Sequence, residues 1–164
     1  MSKLMAWCLL ATVLSDGALA QALSVDAEIV RACHDSAPFG ETNPDCLGQA
    51  ANVCQEQDGG GTTVGTVECV ASEHSAWDAL LNEEYQDLRA VFSARTGGGN
   101  DLTGEELNAS LLNAQRAWIA FRDAECGLQY DRYRGGTIRG IVGANCKMVM
   151  TASRALTLRD MAGE

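Results

Sequence analysis

Cysteine and histidine are the residue types in this chain that suit metal or redox chemistry, and it has seven cysteines and two histidines. The gaps between the last six cysteines are 13, 8, 15, 57 and 20 residues, so the close Cys-x-x-Cys pairs that hold zinc are absent from the sequence. The pattern favours three disulfides, for which fifteen pairings are possible. We therefore expect no metal and no cofactor, and bridges among Cys33, Cys46, Cys54, Cys69, Cys126 and Cys146.

The acids and histidines do not form a pattern typical of catalysis. Asp123 and Glu125 are two residues apart, so on a helix they point to different faces and cannot make a facing acid–base pair. His74 has no identifiable serine or free-cysteine partner. The sequence contains no G-x-S-x-G, H-E-x-x-H, P-loop or dinucleotide-binding motif. We therefore expect a protein that is not an enzyme.

The charge balance narrows the choice of partner. The chain has 12 Lys and Arg against 22 Asp and Glu, a net charge of −10, which argues against nucleic acid and anionic lipid as ligands. Residues 21–110 carry 16 acids and three Lys or Arg, whereas residues 111–164 carry five acids and eight Lys or Arg. The acidic residues 21–110 suit binding to a cationic protein partner. The alternative interpretation is that these acids form a solvated surface that only maintains solubility.

The first twenty residues have the features of a signal peptide. Lys3 gives a positive start, residues 4–14 are mostly apolar, and Ala18, Leu19 and Ala20 form a small-x-small cleavage pattern. We expect residues 1–20 to be removed and the mature chain to begin near Gln21, outside the cytoplasm, in an oxidising compartment where cysteines form disulfides. No segment reaches the roughly 18 consecutive apolar residues of a membrane helix, so we expect no membrane contact after cleavage.

Three long segments in the second part of the chain have helical periodicity. The second of them begins at a capping box, Thr103 with Glu106, and two apolar stripes along it predict that it is the central helix. No period-two run indicates a strand. We predict an all-α, three-helix antiparallel bundle at residues 67–164, after a disulfide-tied extension at residues 21–66. The first helix is predicted from an apolar stripe of Val70, Trp77, Leu81, Tyr85, Leu88 and Phe92.

The predicted hairpin between the second and third helices also predicts a disulfide. If that hairpin turns at Gly135 and Gly136, Cys126 and Cys146 lie at similar distances from the turn and can pair. The remaining cysteines then pair with their nearest neighbours, Cys54 with Cys69 and Cys33 with Cys46.

Residues 115–126, QRAWIAFRDAEC, form the most specific motif in the chain. With Cys69 before it and Cys146 after it, this motif resembles the lysozyme-inhibitor LprI N-terminal domain family, and the similarity extends from about residue 69 to residue 161. The resemblance implies a small helical domain of a secreted or envelope protein, and inhibition of lysozyme as its activity. The residues that match the family motif are Leu81, Asn82, Tyr85, Gln115, Arg116, Trp118, Arg122, Asp123 and Arg154.

The motif itself predicts a structural contact. Trp118 and Arg122 are one helical turn apart, so the arginine can lie over the indole ring and reach an acid on the first helix, such as Glu84 or Asp87. This interpretation makes the motif mainly a structural clamp. An exposed recognition patch is the alternative.

If lysozyme is the partner, a loop must reach the two carboxylates of its cleft. The glycine turn between the second and third helices suits this role, because glycine allows close backbone approach and arginine donates hydrogen bonds to carboxylates. A structural or assembly adaptor that binds another envelope protein is the alternative function. The residues predicted to contact the partner are Arg134, Gly135, Gly136, Thr137 and Arg139.

Overall fold

A computed structural model describes residues 22–97 and 101–163, and the regular secondary structure in these ranges is five α-helices. The predicted all-α class is confirmed. The structure has two more helices than predicted, because the N-terminal extension forms helices of its own. The predicted signal peptide lies outside the described residues. The helices are α1 (Ala27–Ser36), α2 (Gln49–Gln55), α3 (Thr63–Ser93), α4 (Gly104–Arg132) and α5 (Arg139–Ala162).

Side-chain caps in the local sequence set where three of the helices begin. The predicted capping box at α4 is confirmed, since the Thr103 backbone N–H donates to Glu106 Oε2 at 2.8 Å and the Glu106 N–H donates to Thr103 Oγ1 at 3.3 Å. Asp26 accepts from the backbone of Glu28 at the start of α1, and Thr62 accepts similarly at the start of α3.

The long helices alternate in direction. Arg122 of α4 lies beside Thr151 of α5, and Gln115 lies beside Arg154, so residue numbers fall along one helix as they rise along the other. The same opposite order holds between α3 and α4. This arrangement brings the α3–α4 loop to one end of the molecule and the glycine turn after α4 to the other.

The hydrophobic core is centred between α3 and α5. Trp77 and Leu88 of α3 and Leu156 of α5 are fully buried. Ala152 and Ala155 are fully buried as well, and such small side chains let two helices approach closely. The contact between α3 and α5 is the most extensive between any two helices in the described residues.

The prediction that α4 is the central helix is wrong. Only Gly104, Leu111 and Cys126 of α4 are buried, and Phe121 and Leu128 are 60% and 56% exposed. Two apolar stripes predict two covered flanks, but the most extensive helix contact is between α3 and α5, and α4 packs less extensively against each of them. One apolar flank of α4 therefore faces outward.

The N-terminal extension packs into the same core as the long helices. Val30 of α1 and Ala50 of α2 are each 1% exposed. The boundary predicted between residues 66 and 67 lies inside α3, and the division of the chain there stays a prediction. Three disulfides tie the fold, and they join the pairs that the sequence analysis predicts: Cys33 to Cys46 within the extension, Cys54 of α2 to Cys69 of α3, and Cys126 of α4 to Cys146 of α5.

Candidate functional site

The motif on α4 places the Arg122 guanidinium near the Trp118 ring and near two acidic side chains. The Arg122 guanidinium carbon lies 5.1 Å from the centre of the Trp118 ring, and Arg122 Nη2 lies 3.0 Å from Asp123 Oδ1. The acid from α3 is Asp78, whose Oδ1 lies 3.9 Å from Arg122 Nη1. The predicted partners Glu84 and Asp87 are therefore wrong, because the register of α3 against α4 places residue 78 opposite residue 122.

A second contact joins the motif to α5. Arg154 Nε donates to Gln115 Oε1 at 3.0 Å, and both side chains are half-buried. Burial lowers the pKa of Arg154 below its ordinary value. Thr151, fully buried on α5, lies 3.4 Å from Arg122 Nη1. These motif residues therefore lie at the interfaces between helices.

The remaining motif residues divide between the core and the surface. Leu81 is buried and Tyr85 is half-buried against the core. Asn82 is exposed, and its side-chain amide donates to the Asp78 carbonyl one turn earlier in its own helix. Arg116 is exposed on α4. The structure thus does not bring the nine motif residues together into one surface.

The turn between α4 and α5 is exposed along its length. Residues 134–139 are all solvent-exposed, and Gly135 has a φ of +105°, a conformation that glycine adopts readily and other residues rarely do. Arg134 Nη2 lies 3.1 Å from Asp131 Oδ1, with 76% of the arginine side chain exposed. The Arg139 guanidinium carbon lies 5.1 Å from the Tyr130 ring centre. Both arginines are therefore accessible to a partner.

A groove of about 570 Å³ lies between α3, α4 and α5 near this turn. His74 lines it, and His74 Nε2 has no hydrogen-bond partner among the described residues. Burial lowers the pKa of His74, and the positive charges of Arg122 and Lys147 lower it further. Cys126, which also lines the groove, is bonded to another cysteine and is not a nucleophile. Within the described ranges, no group of three or more His, Cys, Asp or Glu could hold a metal ion.

A buried carboxylate that the sequence analysis missed joins the extension to α3. Glu73 is 1% exposed, and its Oε1 accepts from the Gly48 N–H at 2.8 Å and from Trp77 Nε1 at 3.2 Å. Its Oε2 accepts from the Ala51 N–H at 2.7 Å. Glu73 thus binds the N-terminal N–H groups of α2. The available signal was an acid on the apolar face of α3, one turn before Trp77.

His34 is a second buried polar group that the sequence analysis did not single out. Its Nδ1 lies 2.9 Å from Asp35 Oδ1, and its Nε2 lies 3.2 Å from Glu84 Oε1, though outside hydrogen-bond geometry. Burial raises the pKa of Glu84 above its ordinary value. The Arg159 guanidinium donates to the His34 carbonyl oxygen, so α5 also holds the end of α1.

Comparison with known proteins identifies the family. A family model described as "Lysozyme inhibitor LprI" matches residues 54–158, which is more than half of the chain. The chain is also 30% identical, over 95 residues, to "Uncharacterized protein R02472" of Rhizobium meliloti (strain 1021), a match that covers 57% of this chain and 68% of that protein. No solved structure matches the chain. The chain belongs to the LprI lysozyme-inhibitor family.

Proposed function

We propose that this chain is a secreted or periplasmic, non-catalytic protein that binds a basic lysozyme and inhibits it. The observation that carries this proposal is membership of the LprI family over residues 54–158. In this proposal α3, α4 and α5 act as a three-helix antiparallel bundle that presents the binding surface.

The disulfides and the charge of the chain support the proposal. Three disulfides fit an oxidising compartment, such as the periplasm or the extracellular space. Acidic residues dominate the extension and α3, and Glu68 and Asp87 are exposed on α3. A negative surface attracts a positively charged protein over a distance and raises its association rate, an effect that salt screens.

The contact with the lysozyme cleft is assigned, within this proposal, to the glycine turn. Arg134 and Arg139 flank Gly135 and Gly136 in a fully exposed segment, and arginine suits hydrogen bonding to carboxylates. Cys126 and Cys146 bridge the two helices that carry the turn, which limits the number of conformations that it adopts before binding. Thr137 completes the contact segment.

Titration of lysozyme with the oxidised mature chain tests the proposal. We expect lysozyme activity on bacterial cell walls to fall at low ionic strength as the chain reaches micromolar excess, and to recover as salt is added. A double variant, Glu68→Lys with Asp87→Lys, should associate with lysozyme more slowly, and its association rate should depend less on salt concentration. Arg134→Ala or Arg139→Ala should instead raise the dissociation rate.

Unchanged lysozyme activity in this titration would refute inhibition. If the chain bound lysozyme without inhibiting it, the glycine turn would not occupy the cleft. If the chain did not bind lysozyme at all, the adaptor function would replace the proposal. The next measurement would then be to test whether the chain captures another envelope protein.

A further inference from the structure

An exposed aromatic side chain stands at the tip of a turn in the N-terminal extension. Phe39 is 71% exposed, the largest exposed fraction among the large hydrophobic residues in the described ranges. The Glu41 N–H donates to the Pro38 carbonyl oxygen at 3.0 Å, which closes a four-residue turn. Gly40 has a φ of +81°, the conformation that the third position of a type II turn requires. Residues 38–41 are called the Phe39 turn below.

The C-terminal part of α5 holds this turn in place. The Gly40 N–H donates to Asp160 Oδ2 at 2.7 Å, and Arg159 Nη2 donates to the Pro38 carbonyl oxygen at 3.5 Å. Arg159 Nη2 also lies 2.8 Å from Asp160 Oδ1, so the two side chains that hold the turn are themselves paired. An exposed phenylalanine on a fixed backbone loses little entropy when it enters a pocket.

The segment that contains the turn is also acidic. The Cys33–Cys46 disulfide encloses residues 34–45, among which Asp35, Glu41 and Asp45 are exposed. The same segment contains no lysine or arginine. A partner for this surface therefore has a positively charged rim around an apolar pocket that is large enough for a phenyl ring.

We propose that the Phe39 turn is a protein-docking element that inserts the Phe39 ring into an apolar pocket on a basic protein. The inference rests on the proposed function, because it takes lysozyme as that protein. The turn lies outside residues 54–158, which match the family model. It is held near the C-terminal end of α5, and a helix of 24 residues is about 36 Å long, so the turn is a contact region separate from the glycine turn.

Two phenylalanine variants with the same chemistry test this docking element. Phe39→Ala should weaken lysozyme binding by about 30-fold or more, the effect typical of a central aromatic anchor. Phe121→Ala is the matched control, because Phe121 is 60% exposed and lies on α4, which contributes no residue to the docking element. It should leave the dissociation constant unchanged. Calorimetric titration of the oxidised mature chain with lysozyme measures both, and thermal unfolding checks that both variants are folded.

A third variant tests whether the fixed backbone matters. A Cβ atom added at Gly40 would have no neighbour within 4 Å, so Gly40→Ala strains the turn without a steric clash. We expect it to weaken binding by about fivefold, because a chain whose strained turn adopts the docking conformation in about one fifth of the free molecules binds with about one fifth of the affinity.

The possible results separate this inference from the proposed function. A wild-type chain that does not bind lysozyme refutes both. A wild-type chain that binds, with a Phe39→Ala variant that binds equally well, refutes the docking element alone. Equal losses of affinity in Phe39→Ala and Phe121→Ala would also refute the docking element, because binding would then depend on the total exposed apolar area and not on Phe39.

Discussion

Replacing Glu73 by glutamine should weaken the attachment of the N-terminal helices to α3. Both carboxylate oxygens of Glu73 accept hydrogen bonds, from two backbone N–H groups and from the Trp77 indole N–H. Glutamine keeps one of these oxygens as an acceptor, but replaces the other with an NH₂ group, which cannot accept and leaves at least one N–H donor without a partner. A hydrogen bond to a charged group contributes about 1.5–3 kcal/mol, and an unsatisfied buried donor costs about 1–3 kcal/mol. The free energy of unfolding should therefore fall by about 3–5 kcal/mol, a large share of the roughly 5–15 kcal/mol typical of a domain.

Urea unfolding followed by tryptophan fluorescence measures this loss. Glu68→Gln is the matched control, because it makes the same chemical change at an exposed position of the same helix. It should change the free energy of unfolding by no more than about 0.5 kcal/mol. A Glu73→Gln variant as stable as this control would show that the buried carboxylate does not hold α2 to α3.

Three further perturbations follow from the contacts between the long helices and from the His74 groove. Trp118→Ala or Arg122→Ala should lower the free energy of unfolding by about 2–3 kcal/mol. This loss is smaller than for a fully buried tryptophan, because Trp118 is only half-buried. If these variants kept their stability but lost partner binding, the motif would be a recognition patch instead. The folded state lowers the pKa of His74, so the unfolded chain binds more protons below about pH 6.5. The free energy of unfolding should therefore fall as the pH drops below about 6.5. Measured at pH 5 and at pH 7, the free energy of unfolding should differ less in His74→Gln than in the wild-type chain. Replacing Cys126 and Cys146 together by serine should cost about 3 kcal/mol in the chain-entropy model, measured as a shift in urea midpoint.

The sequence predicts the parts of this fold that local periodicity and local hydrogen bonds determine. The stripe that includes Trp77 and Leu88 predicts the buried face of α3, and both residues are fully buried. The Thr103 capping box marks the start of α4 correctly, because a cap needs only residues three positions apart. Neighbouring cysteines pair for a similar reason, since short loops lose the least entropy on closing.

The parts that depend on distant residues could not be predicted in the same way. Which helix lies at the centre depends on how extensively α3 and α5 pack against each other, and helical periodicity alone does not show that Ala152 and Ala155 of α5 are fully buried. The α3–α4 register decides that Arg122 meets Asp78, and the helical period alone does not determine a register. The Phe39 turn likewise depends on Asp160, 120 residues further along the chain.

The three disulfides follow one rule, since the six bonded cysteines of the described chain pair in consecutive order: the first with the second, the third with the fourth and the fifth with the sixth. The sequence separations are 13, 15 and 20 residues, so each partner arrives shortly after the first cysteine as a chain is delivered from its N-terminus. If residues 1–20, which contain Cys8, are removed as the sequence predicts, an oxidase that acts on the remaining thiols in the order in which they appear would form the native pairs directly. Maturation of this protein should require an oxidant but no disulfide isomerase, because no bridge has to be broken and reformed.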